Sequence, residues 1–140
     1  MQLTKFTDYA FRVLMYAEAA GDELVTIDEI TRVYGVSRAH LMKVVNALTQ
    51  AGFLTAVRGR SGGLRLARPA SEISLGGIIR VTEPDFALVE CFKADSPCVI
   101  TPSCKLNRIL DRSFRKFLED LDRHTLADIS IDRSLFPVSA

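Results

Sequence analysis

Thr26-Ile27-Asp28-Glu29-Ile30-Thr31-Arg32-Val33-Tyr34-Gly35-Val36-Ser37-Arg38-Ala39-His40 opens the stretch that decides the fold. Thr26 can accept from the backbone N–H of Glu29 while the Glu29 carboxylate reaches back, a capping box that starts a short helix running to about Tyr34. Gly35 ends it with an accessible left-handed conformation. Ser37 then caps a helix whose apolar positions are Leu41, Val44, Val45 and Leu48, closed by Gly52. Helix, glycine-containing turn, helix is the spacing of a helix-turn-helix. Phe53-Leu54-Thr55-Ala56-Val57-Arg58 is rich in strand formers, Gly59-Arg60-Ser61-Gly62-Gly63 is a turn, and Leu64-Arg65-Leu66-Ala67 resumes with alternation. These read as a β-hairpin, or wing, beside the second helix of the pair.

Working outward, Phe6, Ala10, Val13, Leu14 and Ala17 fall on one stripe, giving a first helix over about residues 4 to 20 that Gly21 stops. Beyond Pro69, Ser74 caps a short helix through Ile78, Ile79 and Val81. Residues 84–103 hold three prolines together with Cys91 and Cys98, and loops this long are usually functional. A last helix beginning at Ser103 carries Leu106, Ile109, Leu110, Phe114, Phe117, Leu118 and Leu121 on a broad face. So wide an apolar stripe needs more burial than a domain of about 80 residues offers, and a two-fold partner supplies it. The expected class is mainly α with a small β-hairpin wing: a winged helix-turn-helix domain over 1–83, a cysteine-containing loop over 84–103, a dimerisation helix over 104–129 and a loosely held tail over 130–140.

The length of 140 residues suits one domain with a small attached element and excludes a multidomain enzyme. No apolar run approaches the roughly 20 residues of a spanning helix, and the start shows no signal-peptide core, so a cytoplasmic protein is expected, with no membrane partner. The net charge of +1 conceals an uneven distribution. Residues 30–71 contain Arg32, Arg38, Lys43, Arg58, Arg60, Arg65 and Arg68 and no Asp or Glu, whereas both flanks are net acidic. Such a block marks a face for a polyanion.

The side of the second helix opposite its apolar stripe presents Arg38, Ala39, His40, Lys43, Asn46, Ala47 and Gln50. A helix in the major groove of double-stranded DNA uses cations for phosphates and guanine edges, amides for adenine, and small residues where the groove wall is close. Arg38 and His40 are the base-edge candidates, and Lys43 can read a base or hold a phosphate. A bland surface histidine is the competing reading of His40. At the wing, Arg58 and Arg60 flank Gly59, and the tip runs on through Ser61 to Gly62 and Gly63, which remove side-chain bulk. The glycines alone could be turn chemistry; the arginines point to a minor groove or its phosphates.

Cys91, Cys98 and Cys104 are the only cysteines, and an odd number leaves one thiol over from any disulfide pairing. Their gaps of six and five residues match neither the close pairs of zinc sites nor a C-x-x-C dithiol. Wide gaps on a loop suit an iron–sulfur cluster, with Cys104 in the first turn of a helix where the dipole favours a thiolate.

With these features in place, the chain resembles the iron–sulfur winged-helix repressors of the NsrR and IscR type, the nitric-oxide-sensing NsrR branch above all. The resemblance rests on Leu3-Thr4-Lys5-Phe6-Thr7-Asp8-Tyr9-Ala10, Ser37 to Val45, the wing Val57 to Gly63, Val89-Glu90-Cys91-Phe92 and His124-Thr125-Leu126-Ala127-Asp128. It implies a homodimer that binds an imperfect inverted-repeat operator and represses nitric-oxide detoxification genes. It further implies a 4Fe-4S cluster, with 2Fe-2S as the alternative or degraded form, on Cys91, Cys98, Cys104 and, across the dimer, Asp8. A solvated first-turn carboxylate is the competing reading of Asp8. IscR-type proteins carry a ligand histidine where this chain has Asn107, which speaks against their 2Fe-2S arrangement. Iron- or redox-responsive relatives are the near alternative.

Two other classes differ in kind. A thiol oxidoreductase lacks support, because there is no C-x-x-C, no phosphate-binding glycine loop and no clustered general base, and His40 and His124 fall on separate helices. No catalytic residue is therefore expected. A winged-helix interaction module with structural zinc is the remaining alternative.

Overall fold

The computed structural model describes residues 1–137. Its elements are α1 (Lys5–Ala19), α2 (Ile27–Tyr34), α3 (Arg38–Gln50), β1 (Leu54–Val57), β2 (Gly63–Leu66), α4 (Leu75–Thr82) and α5 (Lys105–Asp122), joined by short 3-10 turns. It is mostly helical with one small hairpin.

The boundaries follow the caps. Thr4, Thr26, Ser37 and Ser74 each accept a backbone N–H three residues on, and the Thr26–Glu29 capping box is complete. Gly35 takes φ 65°, the left-handed conformation expected at the end of α2. The helices pack because each turns one stripe inward. Val13, Leu14 and Ala17 of α1, Ile30 of α2, Leu41, Val44 and Leu48 of α3, and Ile78 of α4 meet in one core. The hairpin is antiparallel with Leu54 opposite Leu66 and Val57 opposite Gly63. Val25, before α2, adds a bridge to Leu64 through hydrogen bonds of 2.9 and 2.7 Å, so the wing is anchored to the segment joining α1 and α2.

Two contacts fix α4 between the termini of other helices. The Glu83 carboxylate, at the end of α4, accepts from the Thr4 backbone N–H at 2.8 Å and from the Thr4 and Thr7 hydroxyls, tying the start of the cysteine loop to the start of α1. Arg80 of α4 forms a two-pronged ion pair with Asp122 of α5, with Nη2 to Oδ2 at 2.9 Å. The Arg80 hydrogen bond holds the Asp122 carboxyl below its usual range. This carboxylate occupies the space into which a Cβ at Gly76 would project.

The last helix begins at Lys105, with Cys104 as its cap rather than in its first turn. No residue of α5 is fully buried. Phe114 lies against Phe86 with centroids 5.7 Å apart, while Leu106, Ile109 and Phe117 remain exposed. Past α5 the chain re-enters the core through Leu126, whose N–H donates to the Ile73 carbonyl at 2.9 Å.

The segment after residue 130, expected to be loosely held for want of periodicity, is attached as far as it is described. Ser130 donates to Glu18 at 2.8 Å, Arg133 pairs with Glu23, and Phe136 sits edge-on to Tyr16 and Tyr34 at 5.1 and 6.2 Å. Sequence periodicity misses this because single anchors, not a stripe, make the contact. The rest of the expected tail, 138–140, lies outside the described residues. No described helix is long and apolar enough to cross a membrane.

Candidate nucleic-acid interface and cysteine site

The packing of α3 leaves one side free. Leu41, Val44, Val45 and Leu48 are buried, and Arg38, Ala39, His40, Met42, Lys43, Asn46 and Gln50 are exposed. Ser37 Oγ accepts from the His40 N–H at 3.3 Å, so the first turn is capped and the outward residues above it are presented by ordered backbone. Met42, at 44% exposure, extends the face with a flexible apolar side chain suited to a thymine methyl. Nothing in the residue type announces this, since methionine is more often a core residue.

Arg38 is not free. Its guanidinium pairs with Asp28 on α2, both side chains being more than half exposed. Such a pair is worth little energetically, but it orients Arg38 and dilutes its charge. The partners are ten residues apart on different helices, a relation visible only once α2 packs on α3. Arg68 also leaves the basic surface: its guanidinium lies over the Phe53 ring at 4.9 Å and donates to the Ala51 carbonyl. Two of the seven cations in the acid-free block are thus committed within the chain.

The wing keeps its cations. Arg58, Arg60 and Ser61 are exposed, and no ion pair or side-chain hydrogen bond engages Arg58 or Arg60 among the described residues. Gly59 has φ 111°, a region that favours glycine. Gly62 is there for steric reasons: a Cβ would run into the Val57 carbonyl across the turn. The glycines therefore build the turn, and the arginines it lifts outward are the residues available to an anion.

At the other end of the chain the three cysteines are free thiols, Cys91 and Cys104 half-buried and Cys98 exposed. Cys91 lies in the 3-10 turn Glu90–Phe92. The structure brings Cys91 and Cys104 to one residue: Asn107 donates its side-chain amide to Cys91 Sγ at 3.2 Å and its backbone N–H to Cys104 Sγ at 3.4 Å. A cleft of about 600 Å³ opens beside them, lined among others by Phe86, Cys91, Phe92, Asn107 and Phe114. Cys98 is not gathered with the pair. Its N–H donates to Ser96, and among the described residues no three His, Cys, Asp or Glu side chains form a group able to hold a metal ion. Asp8, in the first turn of α1, is half-exposed and bonded to Arg12 at 3.0 Å. Arg12 in turn lies over the Tyr34 ring at 5.5 Å, and burial pushes the Tyr34 hydroxyl up. No hydrogen bond joins Asp8 to the cysteines among the described residues. As a donor set, soft thiols with N–H groups aimed at two sulfurs fit a thiolate-held metal centre at Cys91 and Cys104, with Cys98 standing apart on the same loop as Cys91.

An exposed helix presented beside a basic hairpin defines the winged helix-turn-helix class of DNA-binding protein. The chain belongs to the Rrf2 family, described as "Iron-dependent Transcriptional regulator", which it matches over residues 3–132. That membership makes it a transcriptional regulator. Solved structures agree. It is similar to T. potens IscR at 25% identity and TM-score 0.73, over 92% of this chain and 85% of that one. It is also similar to a putative transcriptional regulator from Listeria innocua at 27% identity and TM-score 0.74, over 100% and 95%. The oxidised form of Staphylococcus aureus CymR shares the fold, at 24% identity and TM-score 0.71 over the full length of both chains.

Proposed function

We propose that the protein is a homodimeric repressor that binds an inverted-repeat operator and senses nitric oxide through a 4Fe-4S cluster held by Cys91, Cys98, Cys104 and the partner subunit's Asp8. The observation that carries this reading is the gathering of Cys91 and Cys104, as free thiols, at the capped N-terminus of the helix that presents the exposed apolar residues Leu106, Ile109 and Phe117. A site there sits where two copies of α5 would meet.

Arg58 and Arg60 of the wing hold phosphates, while Lys43, His40 and Arg38 reach base edges or the adjoining backbone. Leu106, Ile109 and Phe117 bury against a second α5. When bound, the cluster supplies iron that is reactive toward nitric oxide. Cys91, Cys98 and Cys104 would hold it as thiolates, and the partner's Asp8 would offer a harder oxygen that binds iron less strongly. Because these side chains would come from two protomers, the site would tie one subunit to the other, and its loss would free the two α3 helices from the spacing of roughly 34 Å that half-sites one helical turn apart require.

An anaerobic titration of the reconstituted protein with nitric oxide, following absorbance and operator binding together, tests the reading. Bleaching and DNA release should run in parallel. Bleaching with undiminished DNA binding would sink it. The iron-dependent description of the family favours a second reading, in which iron supply or redox state is the signal; operator binding that follows iron chelation but ignores nitric oxide would select it.

A further inference from the structure

Serine or threonine usually supplies the oxygen that caps a helix, as Thr4, Thr26, Ser37 and Ser74 do in this chain. At α5 a sulfur does it instead: Cys104 Sγ accepts the N–H of Asn107, three residues on, at 3.4 Å. The same Asn107 sends its side-chain Nδ2 to Cys91 Sγ at 3.2 Å, although Cys91 lies sixteen positions earlier. One residue thus addresses two of the three thiols through two different N–H groups.

A neutral thiol is a weak acceptor, whereas a thiolate takes a charge-assisted hydrogen bond. Two N–H groups converging on two sulfurs are therefore most stabilising when those sulfurs are thiolates. We infer that Asn107 is a positioning residue of the cysteine site: it is a donor to the Cys91 and Cys104 thiolates and not itself a ligand. This rests on the reading of the loop as an iron–sulfur site. Its amide fixes where Cys91 points, and the α5 backbone fixes Cys104, so two corners of the site are set by one residue at one helix end. Each N–H draws charge off its sulfur, which weakens electron donation to iron and makes a held cluster easier to reduce. Leucine at this position keeps much of the bulk and removes the side-chain donor. Aspartate keeps the shape and replaces the donor by a carboxylate that repels thiolate.

The test compares anaerobically reconstituted wild type, Asn107→Leu and Asn107→Asp, each checked for folding by circular dichroism and for dimerisation. Iron and sulfide content, midpoint potential and the rate of iron loss to a chelator are measured. The expected order is wild type, Asn107→Leu, Asn107→Asp, with the potential moving to more negative values at each step, and iron loss is severalfold faster in Asn107→Leu than in the wild type. Equal potentials and release rates in all three would overturn the assignment, because a merely structural role does not predict a graded potential. If the wild type takes up no iron and sulfide, the cluster reading fails on its own. The Asn107 assignment is then decided by titrating the cluster-free proteins with Co²⁺ and reading the thiolate charge-transfer band. Affinity falling about 10-fold or more in Asn107→Leu, which brings no ligand of its own, upholds the donor role, and unchanged affinity refutes it.

Discussion

Replacing Arg58 and Arg60 together by alanine tests the wing most directly, because neither side chain has an ion-pair partner among the described residues whose loss would complicate the result. Lys43, Arg58 and Arg60 are exposed, and Arg38 becomes available when it leaves Asp28, giving four candidate phosphate contacts per protomer. A dimer then makes about eight, and log affinity should fall against log salt with a slope of about −7. The double substitution removes four contacts per dimer and should flatten the slope by about 3.6, to near half its value. Fluorescence anisotropy on an operator fragment and on unrelated DNA, each over about 50 to 200 mM salt, reads both slopes; the flattening should be alike for the two, since phosphate contacts carry no sequence information. A slope that stays near −7 would show that the hairpin does not lie against the backbone. Gly62→Ala is the uncharged companion: the added methyl meets the Val57 carbonyl, so the hairpin must distort and affinity fall with every cation still present.

Other consequences are open to direct measurement. Asp28→Asn removes the partner that Arg38 must otherwise leave, and a carboxylate from the DNA-facing side, so affinity for unrelated DNA should rise while the salt slope stays at about −7; unchanged affinity would show that Arg38 stays clear of DNA. Cys91→Ala, Cys98→Ala or Cys104→Ala should each abolish iron retention while the winged domain stays folded, and Asp8→Ala should weaken it; normal iron content in any variant removes that residue from the ligand set. Phe136→Ala, which removes two edge-on aromatic contacts, should cost about 2 kcal/mol in urea unfolding, and a loss below about 0.5 kcal/mol would show that the end of the chain is not anchored. Asp128 accepts from the Thr125 N–H and hydroxyl, which holds its carboxyl below the usual range. A depressed value stabilises the folded state above the unfolded pKa of about 3.9 and is lost as the pH falls through the folded value. Asp128→Asn should therefore flatten the acid limb of stability against pH, and an identical limb would exclude the cap.

What the sequence discloses is what local chemistry controls. Thr26 with Glu29, Ser37, Ser74 and Gly35 set four helix boundaries through contacts within a turn, and the alternation after Gly52 gives the hairpin. The cap at Cys104 is not legible, because a thiol is not an expected cap and Ser103 beside it is, which starts the helix one position early. The face of α3 is legible for the same reason as its core: one is the complement of the other. Long-range relations escape. Nothing at Arg38 announces Asp28, nothing at Arg68 announces the Phe53 ring, and Asn107, read only as a poor iron ligand, gains its meaning from a sulfur sixteen residues away. Asp8 illustrates the limit most plainly, since the proposed role needs a second chain and its own chain shows it bonded to Arg12.

The junction between α4 and α5 constrains how this chain can diverge. Gly76 is bare because the Asp122 carboxylate fills the room beside it, and that carboxylate is held there by Arg80. A side chain at 76 must push that exposed carboxylate and the guanidinium paired with it aside, so the cost falls on the ion pair and not on the helix backbone. Positions 76, 80 and 122 are thereby coupled, and a library randomised at all three should return glycine at 76 more often where the acid–base pair survives than where it has been given up.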